Sequence, residues 1–157
     1  MIRVLFVCLG NICRSPMAEA IFRELVKKEN LSDRIEVDSG GTGNWHVGKP
    51  PHEGTMSLLE RERISSEGLL ARQVKENDWD DFDYIIAMDE QNIEDLGNIR
   101  KGDDSIVIAK LMDFVENPQE TNIPDPYFTG DFDYTYQLVS AGCRNLLNHL
   151  KVKHDFN

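Results

Sequence analysis

Short apolar runs alternate with segments of helical periodicity along this chain, and the alternation restricts the fold more than any other feature. The run Val4–Val7 contains no polar residue, which is typical of a strand buried on both faces. The same reasoning predicts strands at 35–38, 84–88 and 105–109, and helices at 15–30, 52–63, 91–96 and 132–150. Because alternating strands and helices form right-handed βαβ units, we expect an α/β fold. It would be a single-domain three-layer sandwich with a four-stranded parallel sheet and helices on both faces.

Length and charge restrict the possible partners. The 157 residues correspond to one domain, 1–157, since a domain averages ~150 residues. A formal net charge of -11 argues against nucleic acid or an anionic membrane surface as the main partner. No apolar run approaches the ~20 residues of a membrane span, and the chain opens on a strand without a signal peptide. We therefore expect a cytoplasmic protein without a membrane span.

The cysteines and histidines do not have the spacing of metal ligands. The three cysteines lack a C-x-x-C pair, which excludes a tetrathiolate zinc site and disfavours a disulfide framework. Cys143 lies in an apolar helical stretch and is expected to be buried. We expect neither a metal nor a cofactor, and we expect all four histidines on the solvated surface. These histidines are His46, His52, His149 and His154.

The segment between the first strand and the first helix combines several features of an anion site. Ser15-Pro16 predicts the helix start, with Ser15 as its N-cap, and a helix N-terminus attracts anions. Arg14 carries a planar fork of donors that matches two phosphoryl oxygens. Backbone N–H groups of a tight loop can converge on the same ligand. The predicted phosphate-binding residues are Leu9, Gly10, Asn11, Ile12, Cys13 and Arg14.

Cys8 begins this loop and is the predicted nucleophile. A positive environment favours the thiolate form of a cysteine, and a thiolate below a bound phosphoryl group can attack phosphorus. The alternative is an ordinary βα turn in which Cys8 packs and Arg14 is a surface charge. The strand before the motif and the helix after it favour the functional interpretation.

These residues also resemble a known family, the low-molecular-weight protein tyrosine phosphatases. The resemblance rests on V-C-x-G-N-I-C-R-S-P at 7–16, S-G-G-T at 39–42, A-M-D at 87–89 and D-P-Y at 125–127, and it covers essentially the whole chain. It implies hydrolysis of phosphotyrosine in tyrosine-phosphorylated proteins through a cysteinyl-phosphate intermediate. Inorganic phosphate and vanadate are then expected inhibitors.

The resemblance also implies a role for each matching residue. Cys8 corresponds to the nucleophile, and Arg14 to the residue that holds the phosphoryl oxygens. Asp125 corresponds to the general acid that protonates the leaving phenolate and later serves as the base for water. Asn11 corresponds to the residue that fixes the loop backbone, and Ser15 to the hydroxyl that bonds the thiolate. From the residues alone, an Asp between two prolines is more often a turn residue.

An aromatic substrate slot is predicted from Trp45, Tyr127 and Phe128, with Ile12 in its wall. The alternative for Trp45 is a surface anchor of its loop. Relatives often carry a second Tyr at the position of Phe128. Many also carry a His that braces the loop Asn, and Leu69 occupies that position here.

The role of Cys13 has two interpretations. By composition alone, Cys13 is a small residue that packs beneath the loop. The resemblance implies instead that Cys13 protects Cys8 through a reversible disulfide when Cys8 is oxidised by peroxide.

Three other functions are weighed against tyrosine phosphatase activity. A thiol-dependent arsenate reductase needs a second pair of cysteines, and only Cys143 remains. A protein-arginine phosphatase of the same family carries Thr where this chain has Ile12, so Ile12 favours an aryl phosphate. A phosphotyrosine-binding module without turnover is disfavoured because Cys8, Arg14 and Asp125 are all present.

Overall fold

The computed structural model describes residues 1–156 and contains one four-stranded sheet with the strand order β2-β1-β3-β4. All strand pairs are parallel. The strands are β1 (Ile2–Cys8), β2 (Ile35–Gly41), β3 (Tyr84–Ala87) and β4 (Val107–Lys110). The helices are α1 (Arg14–Lys28), α2 (Glu53–Arg61), α3 (Asp78–Asp81), α4 (Glu90–Ile99), α5 (Pro126–Thr129) and α6 (Phe132–Lys153), and a 3₁₀ turn spans Leu111–Phe114.

The central strand β1 divides the core into two layers. Val4 and Phe6 face the layer that contains α1, α2 and α6, whereas Leu5 and Val7 face α3 and α4. All four side chains are completely buried, as the uninterrupted apolar run predicts. Helices cover both faces of a parallel sheet, so the predicted α/β sandwich is confirmed.

The parallel arrangement places the carboxyl ends of the strands at one edge of the sheet. Cys8 ends β1 beside Gly41 at the end of β2, and Val7 pairs with Ala87 at the end of β3. The loops that follow β1, β2 and β3 therefore start close together. In open parallel sheets, this edge is where ligands bind.

The predicted N-cap of α1, Ser15, lies two residues after the observed one and has a different role. The helix begins at Arg14, and its N-cap is Cys13, which makes no side-chain capping bond. Ser15 lies inside the first turn, fully buried, and its hydroxyl contacts Cys8 and Asn11 instead of the helix backbone. A hydroxyl that finds partners in the preceding loop is no longer available as a cap.

The strand predicted at 35–38 is too short, since β2 runs from Ile35 to Gly41. Residues 39–41 extend β2 and pair with Phe6, Val7 and Cys8. Small turn-forming residues remain in a strand here because the ladder to a buried neighbour outweighs their weak preference for turns. The four-residue helices α3 and α5 were not predicted, since one turn is too short to show a periodicity.

The expectation of solvated histidines is wrong for three of the four. His52 caps α2, its Nδ1 accepting the N–H of Gly54 at 3.0 Å, and its ring stacks on Phe132. His154 Nε2 lies 2.8 Å from the Tyr84 hydroxyl. His46 lines a cavity described below. Imidazole rings combine an apolar face with polar nitrogens, so they pack at such partly buried positions.

The long helix α6 packs against α1 and the 3₁₀ turn. Cys143 is completely buried between these elements, as expected, and its Sγ lies 3.8 Å from the carbonyl oxygen of Ala18. The contact between Gly142 of α6 and the 3₁₀ turn is also close, because a Cβ built on Gly142 would come within 2.4 Å of Leu111 Cγ. Among residues 1–156, no helix is both long and apolar enough to cross a bilayer.

Two helical glycines make a matched test of this packing. Gly142→Ala should lower the free energy of unfolding by about 1–3 kcal/mol, because Leu111 is fully buried and cannot move aside. Gly97→Ala should raise it by about 0.5–1 kcal/mol, because Gly97 lies in α4 with open space around it. Urea unfolding of both variants measures the difference, and equal effects would contradict the packing argument.

Candidate active site

The loop between β1 and α1 turns through a left-handed residue, Asn11, whose φ is 55°. Asn tolerates this conformation better than most side chains, and here three hydrogen bonds hold it. Its Nδ2 donates to Ser15 Oγ at 2.8 Å and to Ser39 Oγ at 2.9 Å, and its Oδ1 accepts the N–H of Arg72 at 3.0 Å. Leu69 packs in the apolar core, so the support of Asn11 comes from these groups.

The backbone of this loop offers unused donors. Within the part of the chain that the structure describes, the N–H groups of residues 10–13 donate no hydrogen bond to another group of the protein. The N-terminus of the 15-residue helix α1 follows directly. Consecutive free N–H groups next to a helix N-terminus form a binding site for an anion.

Cys8 lies at the base of this loop and is almost completely buried. Its Sγ is 2.9 Å from Ser15 Oγ. Because the oxygen of Ser15 already accepts a hydrogen bond from Asn11, its own proton remains free for the sulfur. The competing acceptor, the carbonyl of Gly40, is farther away at 3.5 Å. The geometry therefore lets Ser15 stabilise negative charge on Cys8.

Arg14 is buried with 2% of its side chain exposed, and three groups share one side of its guanidinium. Nη1 donates to Asp89 at 2.6 Å and to the carbonyl of Ile123 at 2.9 Å, and Nη2 lies 3.3 Å from Asp125. Burial alone lowers the pKa of Arg14, but the negative charges of Cys8 and Asp125 outweigh it and raise that pKa. Nε is buried without a protein partner, so a donor remains for a ligand.

Asp125 belongs to the segment that leads into α5. Its Oδ1 accepts the N–H of Tyr127 at 3.0 Å as the helix cap, and its Oδ2 faces Arg14. Pro124 and Pro126 restrict the backbone on both sides of the carboxylate. The two oxygens thus have separate partners, and Oδ2 is the one that contacts the Arg14 guanidinium.

A cavity of about 370 Å³ joins these groups. Its lining residues are Cys8, Leu9, Gly10, Ile12, Cys13, Trp45, His46, Asp125, Tyr127 and Phe128. Trp45 and Phe128 are 65% and 73% exposed, so they form the rim of the cavity, whereas Cys8 and Ile12 lie at its bottom. A deep polar floor with an aromatic rim suits a planar group that carries an anion at one end.

Cys13 shares the cavity with Cys8, but its environment is different. Burial, reinforced by the negative charges of Asp125 and Cys8, raises the pKa of Cys13 to about 12. Cys13 therefore remains a protonated thiol at neutral pH. Of the two cysteines that line this cavity, Cys8 is therefore the candidate nucleophile.

A larger open groove of about 900 Å³ lies along β2 and the segment 72–82, away from the loop. Its arginines are already paired, Arg72 with Asp38 at 3.1 Å and Arg3 with Glu36 at 2.9 Å. These arginine charges are therefore already neutralised by protein groups.

The structure brings together all the residues that the sequence singled out, and it adds others. Asp89 holds Arg14 and caps α4, although the sequence analysis gave it no role. Its position directly after β3, at the ligand-binding edge, was an available signal. Glu19 was missed as well, although an acid one helical turn after Ser15 on a buried face is unusual. His46 was expected on the solvated surface and lines the cavity instead.

Comparison with known proteins adds independent information. The profile of the family described as "Low molecular weight phosphotyrosine protein phosphatase" matches residues 3–155. Over 147 residues the chain is 56% identical to the low molecular weight protein-tyrosine-phosphatase YfkJ of Bacillus subtilis, with 94% of each chain covered. The crystal structure of YfkJ matches with a TM-score of 0.95 at 54% identity, covering 98% of this chain and 96% of the other.

Two further relatives show how broad the similarity is. The chain is 46% identical over 153 residues to PtpA of Staphylococcus saprophyticus, a low molecular weight protein-tyrosine-phosphatase, with 96% and 94% of the chains covered. The crystal structure of DARP, a Drosophila arginine phosphatase, matches with a TM-score of 0.86 at 38% identity, covering 94% of this chain and 97% of the other. With a profile match from residue 3 to residue 155 and relatives aligned over nearly their full lengths, this chain belongs to the low molecular weight phosphotyrosine protein phosphatase family.

Proposed function

We propose that this chain hydrolyses phosphotyrosine in proteins, with Cys8 as nucleophile, Arg14 as phosphoryl-binding residue and Asp125 as general acid and base. One observation carries the proposal. A thiol supported by Ser15 and a carboxylate line one cavity, and the buried guanidinium of Arg14, with an unused Nε, contacts that carboxylate. Each group supplies something that transfer of a phosphoryl group needs.

In the first step, the phosphoryl oxygens bind the Nε of Arg14 and the free N–H groups of the loop. The Cys8 thiolate attacks phosphorus, and the bond between phosphorus and the phenolic oxygen breaks. Its electron pair goes to the leaving phenolate, which takes a proton from Asp125. Because a phenol has a pKa near 10, this proton transfer lowers the barrier appreciably.

In the second step, water hydrolyses the cysteinyl phosphate. Asp125, now ionised, accepts a proton from the water as its oxygen attacks phosphorus. The sulfur–phosphorus bond breaks, and the thiolate of Cys8 is restored. The hydroxyl of Ser15, 2.9 Å from Cys8 Sγ, stabilises this leaving thiolate. Inorganic phosphate is the product and binds the same donors, so phosphate and vanadate should both inhibit.

Phosphoarginine is the second candidate substrate, because the similarity to the Drosophila arginine phosphatase extends over most of the chain. Ile12 argues against it. Its side chain lies in the cavity wall with 8% exposed, and an alkyl group cannot hydrogen-bond a guanidinium. The exposed rings of Trp45 and Phe128 suit a phenyl group better.

We extend the proposal to the cellular compartment of the protein. The cysteines Cys8, Cys13 and Cys143 are free thiols. Reduced thiols are the state maintained in the cytosol, which supports a cytoplasmic protein that meets tyrosine-phosphorylated partners there.

Replacing the nucleophile tests the function directly. The parent should hydrolyse a phosphotyrosine peptide and leave the matched phosphoarginine peptide nearly intact. Cys8→Ser should lower kcat by more than about a thousandfold, because it removes the attacking sulfur. The variant should still bind vanadate, since Arg14 and the loop remain. Cys143→Ala, which removes a remote buried thiol, should keep its activity. Substantial turnover by Cys8→Ser would contradict the covalent mechanism, and faster hydrolysis of phosphoarginine would favour the second candidate.

The acid role of Asp125 predicts a dependence on the leaving group. Asp125→Asn keeps the oxygen that caps α5 but has no proton to donate, so kcat for phosphotyrosine should fall by ~10²-fold or more. An aryl ester whose phenolate leaves without a proton should slow by less than about tenfold. Asp131→Asn is the control, since Asp131 caps α6 in the same way without lining the cavity. Equal slowing of both esters would remove Asp125 from the acid role.

Oxidation should convert Cys8 and Cys13 into a disulfide. Peroxide oxidises the Cys8 thiolate to a sulfenic acid, and the Cys13 sulfur then displaces water from it. Because burial raises the pKa of Cys13 to about 12, formation of the disulfide should accelerate about tenfold per pH unit near neutrality. Quenched mass spectrometry measures this rate, and thiol reductants should restore activity. Cys13→Ser should recover poorly, and full recovery of that variant would leave Cys13 with a packing role only.

A further inference from the structure

A buried carboxylate that does not touch the cavity is connected to the phosphate loop. Glu19 lies on α1 with 4% exposed, one turn after Ser15. Its Oε1 accepts the Ser39 hydroxyl at 2.6 Å, and its Oε2 pairs with Arg23, one turn farther along the helix. Arg23 also donates to the carbonyl of Glu67 at 3.2 Å, which holds its guanidinium in place.

The hydrogen bonds between Glu19 and the loop have a definite direction. Asn11 donates to Ser39, so the proton of Ser39 is free to go to Glu19. An ionised carboxylate only accepts, and it therefore fixes that proton on its own side. The second N–H of Asn11 goes to Ser15, whose proton is then free for Cys8. A charged Glu19 thus supports the same orientation of Asn11 that the N–H of Arg72 favours, and through it the donor at Cys8.

We propose that Arg23 is a positioning residue for the phosphate loop, acting through Glu19, Ser39 and Asn11. It keeps Glu19 ionised and so sets the direction of every hydrogen bond between Glu19 and Cys8. The inference rests on the proposed function, because turnover is its most sensitive readout.

The charges around Glu19 show why Arg23 is needed. Burial raises the pKa of Glu19, and Asp38 on β2 raises it further. The Ser39 hydroxyl and the charge of Arg23 lower it. Asp38 itself is paired with Arg72, whose backbone N–H holds Asn11. Among the residues that the structure describes, Arg23 is the cation paired with Glu19.

Loss of Arg23 should let Glu19 take up a proton. The proton of a neutral carboxyl can lie on either oxygen. When it lies on Oε1, Glu19 donates to Ser39, and the Ser39 proton turns toward Asn11, whose N–H already points there. Two donors would face each other, and the bond between Asn11 and Ser39 would weaken. Since Asn11 is in a left-handed conformation that its hydrogen bonds stabilise, the loop would lose its geometry.

The test compares three single variants with the parent. Arg23→Met keeps the apolar part of the side chain and removes its charge, Arg23→Lys keeps the charge, and Lys27→Met removes an exposed charge one turn farther on the same helix. The ratio of the kcat of Arg23→Met to that of the parent should be roughly 0.1 at the acid end of the pH range and rise toward 1 as the pH increases and Glu19 ionises. Arg23→Lys should restore most of the loss, and Lys27→Met should match the parent throughout.

A double variant separates positioning from simple destabilisation. Glu19→Gln cannot ionise, so it should show a reduced kcat whose ratio to the parent does not change with pH. Adding Arg23→Met to Glu19→Gln should cause no further loss, because Arg23 acts through the carboxylate. Independent losses in the double variant, or a pH-independent ratio for Arg23→Met alone, would overturn the inference.

A second readout distinguishes this inference from the proposed function. The affinity for inorganic phosphate, measured by calorimetry in the same variants, should weaken for Arg23→Met with the same dependence on pH. If the parent binds phosphate but hydrolyses no phosphotyrosine, the proposed function fails, and the phosphate affinities still decide the role of Arg23. Phosphate binding by Arg23→Met that equals the parent at every pH would show that the loop does not depend on this arginine.

Discussion

The buried charge of Arg14 organises the functional edge of this protein. A guanidinium with 2% exposure is stable only if it is paired and hydrogen-bonded, and its partners come from two separate segments. Asp89 follows β3, whereas Ile123 and Asp125 belong to the proline-rich loop before α5. The requirement to satisfy one cation therefore draws these segments against the loop that begins at Cys8. The Nε of Arg14 has no partner in the protein, so it can bind a phosphoryl oxygen.

An acidic chain can bind an anion because the positive field is local. The formal net charge is -11, and Asp89 and Asp125 themselves lie next to the site. The attraction comes from the free N–H groups of residues 10–13, the N-terminus of α1 and Arg14, all within one short segment. Buried donors act over short distances in a medium of low dielectric constant, so they outweigh surface charges that solvent and salt screen.

Local patterns were sufficient to predict the sheet, the long helices and the phosphate loop. The run from Val4 to Val7 specifies a strand buried on both faces, and the residues after it specify an anion site at a helix start. The errors arise where a partner far away in the sequence determines the local structure. The hydroxyl of Ser15 contacts Cys8 and Asn11 and does not cap the helix. Residues 39–41 belong to β2 because they pair with residues 6–8 of β1. Glu19 and Asp89 were missed for the same reason, because their partners lie 20 and 75 residues away.

Asp125 shows how one carboxylate can cap a helix and still exchange protons. Oδ1 accepts the N–H of Tyr127 whether or not the group is protonated, so the cap persists through the catalytic cycle. Oδ2 faces Arg14 in the unliganded protein, and in the proposed mechanism it carries the transferred proton. The proposed first step draws its proton from Oδ2, so the cap made by Oδ1 is undisturbed. Release of the phenol then leaves Asp125 ionised beside water, as the second step requires.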